Sequence, residues 1–169
     1  ARDVSVSLNK MGDFLSRRGL PGDAEAALRH YERSLAVREG LLRANPESAE
    51  AARDVMVSLE RMAQSKGIQG TSGSTREALQ LQSRALSIAL KLRESNPQSV
   101  FYGRTVAVSF FLTFQRAEAA GDQQLAARCL AGCHSVLHEL VSAGSTLDPP
   151  MIGLYRQLHA AFGEPRSEA

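Results

Sequence analysis

The sequence predicts an all-α fold: three antiparallel helical hairpins stacked as an α-solenoid, followed by a C-terminal capping helix. Three observations predict it. One phrase occurs three times, as RDVSVSLNKMGD at 2–13, RDVMVSLERMAQ at 53–64 and RTVAVSFFLTFQ at 104–115. Apolar residues in these stretches fall mostly three or four apart, the interval that lines one face of a helix. No segment reads as a strand.

The repeat has a period of 51 residues. Arg2, Arg53 and Arg104 keep it, as do Val4, Val55 and Val106, and Ser7, Ser58 and Ser109. Gly19, Gly70 and Gly121 share the register, and so do Leu35, Leu86 and Leu137. Self-similarity at a fixed interval is the mark of stacked supersecondary units. The units are about 2–46, 53–97 and 104–148, in a single domain over 1–163, with 164–169 expected as a disordered tail.

In the first unit a helix from about Asp3 to Arg18 places Val4, Leu8, Met11 and Leu15 on its packing stripe. Gly19-Leu20-Pro21-Gly22-Asp23 turns the chain. A second helix, from about Ala24 to Arg43, buries Leu28, Tyr31, Leu35, Leu41 and Leu42. Asn45-Pro46 ends it, because proline disfavours helical backbone in the residue before it. The second unit turns between Lys66 and Ser74, where Ser74 and Glu77 have the spacing of a capping box, and stops at Asn96-Pro97. The third turns at Gly121-Asp122. The last helix, about 149–162, opens with Pro149 and Pro150 in the first turn, where proline is tolerated. It aligns Met151, Leu154, Tyr155, Leu158 and Phe162. A lone hairpin cannot bury its apolar faces, whereas stacked hairpins can. The last helix has the place of a cap. No matching cap stands before Asp3, so a further repeat upstream, in a longer protein, is expected.

The pattern resembles the tetratricopeptide repeat (TPR) family. Leu8, Met11 and Gly12 match the large–x–x–large–Gly of that family's first helix, and Ala27, Tyr31 and Ser34 match its second. The corresponding residues are Leu59, Met62, Ala63, Ala78, Gln82 and Ala85 in unit two. In unit three they are Phe110, Thr113, Phe114, Cys129, Cys133 and Val136. A standard repeat has about 34 residues; here a longer turn and longer helices make up the difference. The resemblance implies a TPR-like α-solenoid, a long-helix variant of the kind found in bacterial multidomain proteins. There such repeats accompany caspase-like peptidase or signalling ATPase domains. It implies a cytoplasmic protein–protein interaction module, and nothing about the ligand, because a fold does not name a function.

Composition narrows the classes further. The net charge of +2 gives no electrostatic case for nucleic acid or an anionic membrane. No apolar run approaches the roughly 20 residues that cross a bilayer. Cys129, Cys133, His134 and His138 read as text like a zinc site. On a helix the cysteine pair and the histidine pair point about 140° apart. The repeat register places Cys129 with Ala27 and Ala78, and Cys133 with Tyr31 and Gln82, so both are expected in the core. No metal, cofactor or disulfide is expected. His30, His134, His138 and His159 show no recurring nucleophile or acid beside them, so the chain is not expected to be an enzyme. Gly67 to Gly73 lacks the lysine of a phosphate-binding loop. Ser7, Ser58 and Ser109 suit close packing of neighbouring hairpins. Arg2, Arg53 and Arg104 sit at helix starts, against the dipole preference, and are expected to reach the preceding unit.

Positions off the packing stripe of each first helix are expected to face a concave groove. They are Asn9, Lys10, Asp13 and Arg17 in unit one, with Ser16 beside them. Glu60, Arg61 and Gln64 follow in unit two, and Phe111, Leu112 and Gln115 in unit three. The groove changes from polar to apolar along its length and suits a peptide or helix of mixed character. The expected function is a scaffold or sensor that binds a protein or peptide in this groove. The alternative is a homo-oligomerisation module that uses an open solenoid end or the apolar groove.

Overall fold

A computed structural model of the chain describes residues 1–163; the tail expected at 164–169 lies outside the described residues. Seven helices and no strand occur among them. They are α1 (Arg2–Arg18), α2 (Asp23–Ala44), α3 (Ala49–Gln69), α4 (Ser72–Ser95), α5 (Val100–Ala120), α6 (Gln123–Ser142) and α7 (Pro149–Phe162). The chain divides into two compact units, Ala1–Ile88 and the residues from Ala89 on, with the boundary inside α4.

The helix ends follow local chemistry. Gly19, Gly70 and Gly121 end α1, α3 and α5 in the left-handed conformation, at φ 68°, 68° and 77°. Glycine adopts it without the Cβ clash that other residues meet. Asn45-Pro46 and Asn96-Pro97 are followed by a signal not apparent from the proline alone. Ser48 and Ser99, again 51 apart, accept the backbone N–H of Ala51 and Tyr102 and cap α3 and α5. Asp122 and Asp148 do the same for α6 and α7. Helix α4 departs from expectation. Its cap is a reciprocal pair in which Thr71 N–H donates to Ser74 Oγ and Ser74 N–H donates to Thr71 Oγ1. Glu77 instead takes Lys66 Nζ at 2.6 Å. The turn expected over 66–74 therefore shrinks to Gly70-Thr71, because α3 continues through Gly67 to Gln69.

In the first unit α1 packs on α2, and α2 on α3. Arg18 closes the α1–α2 turn by donating to both carboxylate oxygens of Asp23 at 2.8 and 2.6 Å. Asp23 also accepts Leu20 N–H, and together these hold its carboxyl below the ordinary range. Ala27, Tyr31, Ser34, Leu35 and Arg38 form the buried row of α2. Arg38 is 4% exposed. Its Nε donates to Ser5 Oγ on α1 at 3.1 Å, and its Nη1 to the Asp54 carbonyl and Ser58 Oγ on α3 at 2.7 and 3.1 Å. One guanidinium thus ties three helices together. The leucines expected to lead the buried side of α2, Leu28, Leu41 and Leu42, are only half-buried.

Helix α1 is rotated from the expected stripe by about one residue. Its buried row is Ser5, Asn9, Gly12 and Leu15, whereas Val4 and Met11 are 54% and 47% exposed. Close approach decides this. A Cβ at Gly12 would fall within the Tyr31 ring, so only glycine admits the ring there. Ser5 accepts Arg38, and Ser34 Oγ donates to the Ser5 carbonyl at 2.9 Å.

The second unit contains the end of α4 with α5, α6 and α7. Helix α5 packs on α6, and α6 on α7. Ala107, Cys133, Leu137 and Leu158 centre its core, with Phe110, Phe111, Leu154 and Tyr155 packed against them. Arg93 donates to the Ser99 carbonyl and pairs with Glu139.

Arg2 and Arg104 reach residues later in the chain, opposite to expectation. Arg2 reaches Asp54 and Glu50 of the next first helix at 2.8 and 3.0 Å. Arg104 donates to the Thr146 carbonyl and lies 4.0 Å from Asp148. The early start of α3 at Ala49 brings its first-turn acid, Glu50, beside Arg2, and acids are favoured at that end of a helix.

Two outcomes follow for stability. Arg38→Ala lowers unfolding free energy by about 2–4 kcal/mol in urea melts, because it leaves a cavity and strands three buried acceptors. Arg38→Met, which refills the space, recovers part of the loss. Ser48→Ala and Ser99→Ala each cost about 1 kcal/mol in the same melts, the ordinary value of a helix cap.

Candidate functional site

The sequence-expected groove residues fall into three groups. The first lines a cleft in the first unit. Asp13, Ser16 and Arg17 of α1, Tyr31 of α2, and Arg61, Gln64, Ser65 and Ile68 of α3 surround about 280 Å³ of open space. Helical spacing brings them there: 13, 16 and 17 share one face of α1, and 61, 64, 65 and 68 one face of α3. Lys10, one turn before Asp13 and exposed, lies on the same face of α1.

A polar bridge spans the cleft. Arg61 Nε and Nη2 donate to Asp13 Oδ1 and Oδ2 at 2.9 and 3.2 Å, a two-pronged fit of guanidinium on carboxylate. The Tyr31 hydroxyl donates to Asp13 Oδ1 at 2.9 Å and lies 3.3 Å from Ser16 Oγ. Burial, ahead of these hydrogen bonds, pushes the Tyr31 hydroxyl above its usual range. Tyr31 was expected only as a core residue. Its ring is packed, but its hydroxyl joins the cleft, and the signal was the choice of Tyr over Phe at a packed position.

The second group is packed rather than surface-facing. Asn9 is 3% exposed, and neither its Oδ1 nor its Nδ2 has a hydrogen-bond partner among the described residues. It belongs to the row that α1 lays on α2, so it does not line the cleft. Glu60, at the equivalent place on α3, is half-buried. Burial raises its carboxyl above the ordinary range, and Arg61 only partly offsets this. Phe111, the third member of that column, packs against the core of the second unit. The third group, Leu112 and Gln115, lies on α5, half-buried and exposed respectively.

The cysteine–histidine cluster has other work. Cys129 and Cys133 are free thiols, 2% and 0% exposed. Burial pushes the Cys133 thiol up to about 12, which keeps it protonated and unreactive at neutral pH. On α6, His134 Nε2 lies 3.3 Å from His159 Nδ1, and His138 Nδ1 lies 3.1 Å from the Tyr155 hydroxyl, both on α7. These rings dock α7. No cluster of metal-ligating side chains occurs among the described residues. No described helix is long and apolar enough to cross a membrane.

The Glu60 environment gives a pH dependence. The folded protein holds this carboxyl above its unfolded value, so the charged form is a cost. That cost is absent below the unfolded pKa of about 4.3 and grows as pH rises through the folded value. Glu60→Gln therefore melts at a higher temperature than the parent at pH 7, and the difference closes as pH falls to about 4. Comparison with known proteins gives no match: no family model, no curated protein and no solved structure matches this chain.

Proposed function

We propose that the chain is a protein–protein interaction module, a TPR-like α-solenoid that serves as the scaffold or sensor part of a larger bacterial, cytoplasmic protein. Its work is binding and not catalysis. The ligand is a peptide or helix, and the α1–α3 cleft selects it.

The observation that carries this reading is the cleft between α1 and α3. Asp13, Arg61 and Tyr31 satisfy one another there, which fixes the cleft in one shape before a ligand arrives. Preorganisation of this kind lowers the ordering cost of binding. Lys10 and Arg17 stand exposed along the same face and have no ion-pair partner among the described residues. They favour an acidic or carbonyl-rich ligand segment. Gln64 can pair with a ligand amide, and Ile68, 73% exposed, offers apolar contact at the mouth.

The test is selection of a displayed peptide library on the immobilised chain. Peptides that win should share an acidic residue and should lose at least about tenfold in affinity for Lys10→Glu with Arg17→Glu. Both side chains are exposed, so helicity should stay unchanged by circular dichroism. Winners that bind the double variant as tightly as the parent would remove the α1–α3 cleft from the account.

A further inference from the structure

The repeat register relates one place in the second unit to one in the first, and the two are filled differently. In the second unit Arg93 of α4 crosses to α6. Its Nη1 donates to the Ser99 carbonyl at 3.1 Å, and its Nη2 pairs with Glu139. The guanidinium lies against the Gly103 backbone, where a Cβ would collide with it. One period earlier, in the first unit, Arg93 becomes Leu42, Glu139 becomes Ile88 and Gly103 becomes Ala52. The guanidinium and the carboxylate are both gone, and a leucine does not reach as far as an arginine. About 640 Å³ of open space is left there. Leu42 of α2, Pro46 of the turn, Val55 of α3 and Ile88 of α4 give it an apolar lining. The charge pattern is inverted as well. Glu94 follows Arg93, whereas Arg43 follows Leu42. Arg43 lines the space, is exposed and has no ion-pair partner among the described residues. The other charged residues of the lining, Glu39 and Arg84, hold each other at 2.8 Å. The space therefore offers apolar walls and one uncompensated cation.

We propose that this space binds a small amphipathic carboxylate, an apolar chain with one acid group. The chain lies against Leu42, Val55 and Ile88, and the carboxylate pairs with Arg43 at the rim. The volume falls within the range of small-molecule sites, about 300–1,000 Å³. Two turns of a helix, about 10 Å across and 11 Å long, would exceed it, so a partner helix is not the occupant. Affinity comes from the apolar chain, at about fourfold for each methylene buried. The acid group selects the ligand, because an uncharged chain leaves Arg43 without a counter-charge. The lining runs from residue 39 to residue 88, within the first unit and away from both ends of the sequence. It shares no residue with the α1–α3 cleft, so the two sites can be tested apart.

The probe is octanoate, titrated into the 169-residue chain by isothermal calorimetry. Saturable binding at one site is expected. Butanoate, four methylenes shorter, should bind at least about tenfold more weakly, and octanol, which lacks the charge, at least about fivefold. Arg43→Glu should weaken octanoate at least about fivefold and reverse the preference, so that octylammonium binds better. Leu42→Arg with Ala52→Gly and Ile88→Glu rebuilds the second unit's arrangement in the first and should abolish octanoate binding, with helicity followed by circular dichroism. Arg43 is exposed, so its variant decides the matter if the rebuilt chain does not fold. Lys10→Glu with Arg17→Glu should leave octanoate binding unchanged. No saturation up to about 1 mM overturns the proposal. So does an affinity that octanol matches or that Arg43→Glu leaves unchanged, which would mean adsorption to apolar surface. Loss of binding in the Lys10→Glu, Arg17→Glu variant would move the ligand to the cleft. A parent chain that sediments as a dimer, while the rebuilt variant sediments as a folded monomer, would give the space to a second copy.

Discussion

The first unit depends on a cation held where water does not reach. Burying an ion is costly unless its hydrogen-bonding groups are satisfied. Arg38 meets that condition with two serine hydroxyls and a backbone carbonyl, and burial still lowers its pKa despite the nearby Asp54 carboxylate. A guanidinium is suited to the task, because its planar fork presents several donors in fixed directions and stays charged even when its pKa falls. The requirement spreads outward. Ser5 and Ser58 must be small and polar, and Ser34 must sit one turn before Arg38 to share them. Arg2 must neutralise Asp54, which would otherwise present an unpaired carboxylate at the edge of the same cluster. The equivalent positions in later units are Ala89 and Leu140, so this device belongs to the first unit alone.

That cluster explains where the sequence was legible and where it was not. The period, the helices and the glycine and proline stops follow from local rules, and they appear in the structure within a few residues. The orientation of α1 does not follow from such rules. Counting apolar residues ranks Val4, Leu8 and Met11 above Ser5, Asn9 and Gly12. Packing ranks them by size, since α2 brings the Tyr31 ring and the Arg38 guanidinium onto α1 and only small side chains leave room. On α3 both rows are buried, so the same phrase satisfies both criteria and hides the difference. Arg38 itself was invisible because a charged residue on a helix is ordinarily read as solvated.

The cleft side of α1 and α3 was legible by column rather than by residue. Positions 10, 13 and 17, with their counterparts 61, 64 and 68, are half-buried or exposed on the cleft side of α1 and α3. Positions 9, 60 and 111 lie one column further in. Asn9 and Glu60 were read as surface because they are polar, yet the third member of their column is Phe111, and a phenylalanine in register was the signal that the column is packed. The two polar members carry the consequence. Asn9 has an amide without a partner among the described residues, and Glu60 has a carboxyl pushed toward its neutral form.

If the cleft binds the ligand proposed above, the charges left after internal pairing define how it reads that ligand. Arg18 is held by Asp23, Arg61 by Asp13, Arg84 by Glu39 and Lys66 by Glu77. A ligand carboxylate that approached Arg61 would have to compete with a two-pronged contact already in place, and the Tyr31 hydroxyl holds Asp13 in that contact. Lys10 and Arg17 face no such competitor among the described residues. In the proposed interaction module, recognition by charge rests on the rim of α1, while the floor of the cleft contributes shape and neutral hydrogen bonds. A rim charge in water steers encounter more than it adds affinity. In that proposal affinity comes from the apolar and hydrogen-bonding groups around Gln64 and Ile68, on the α3 side.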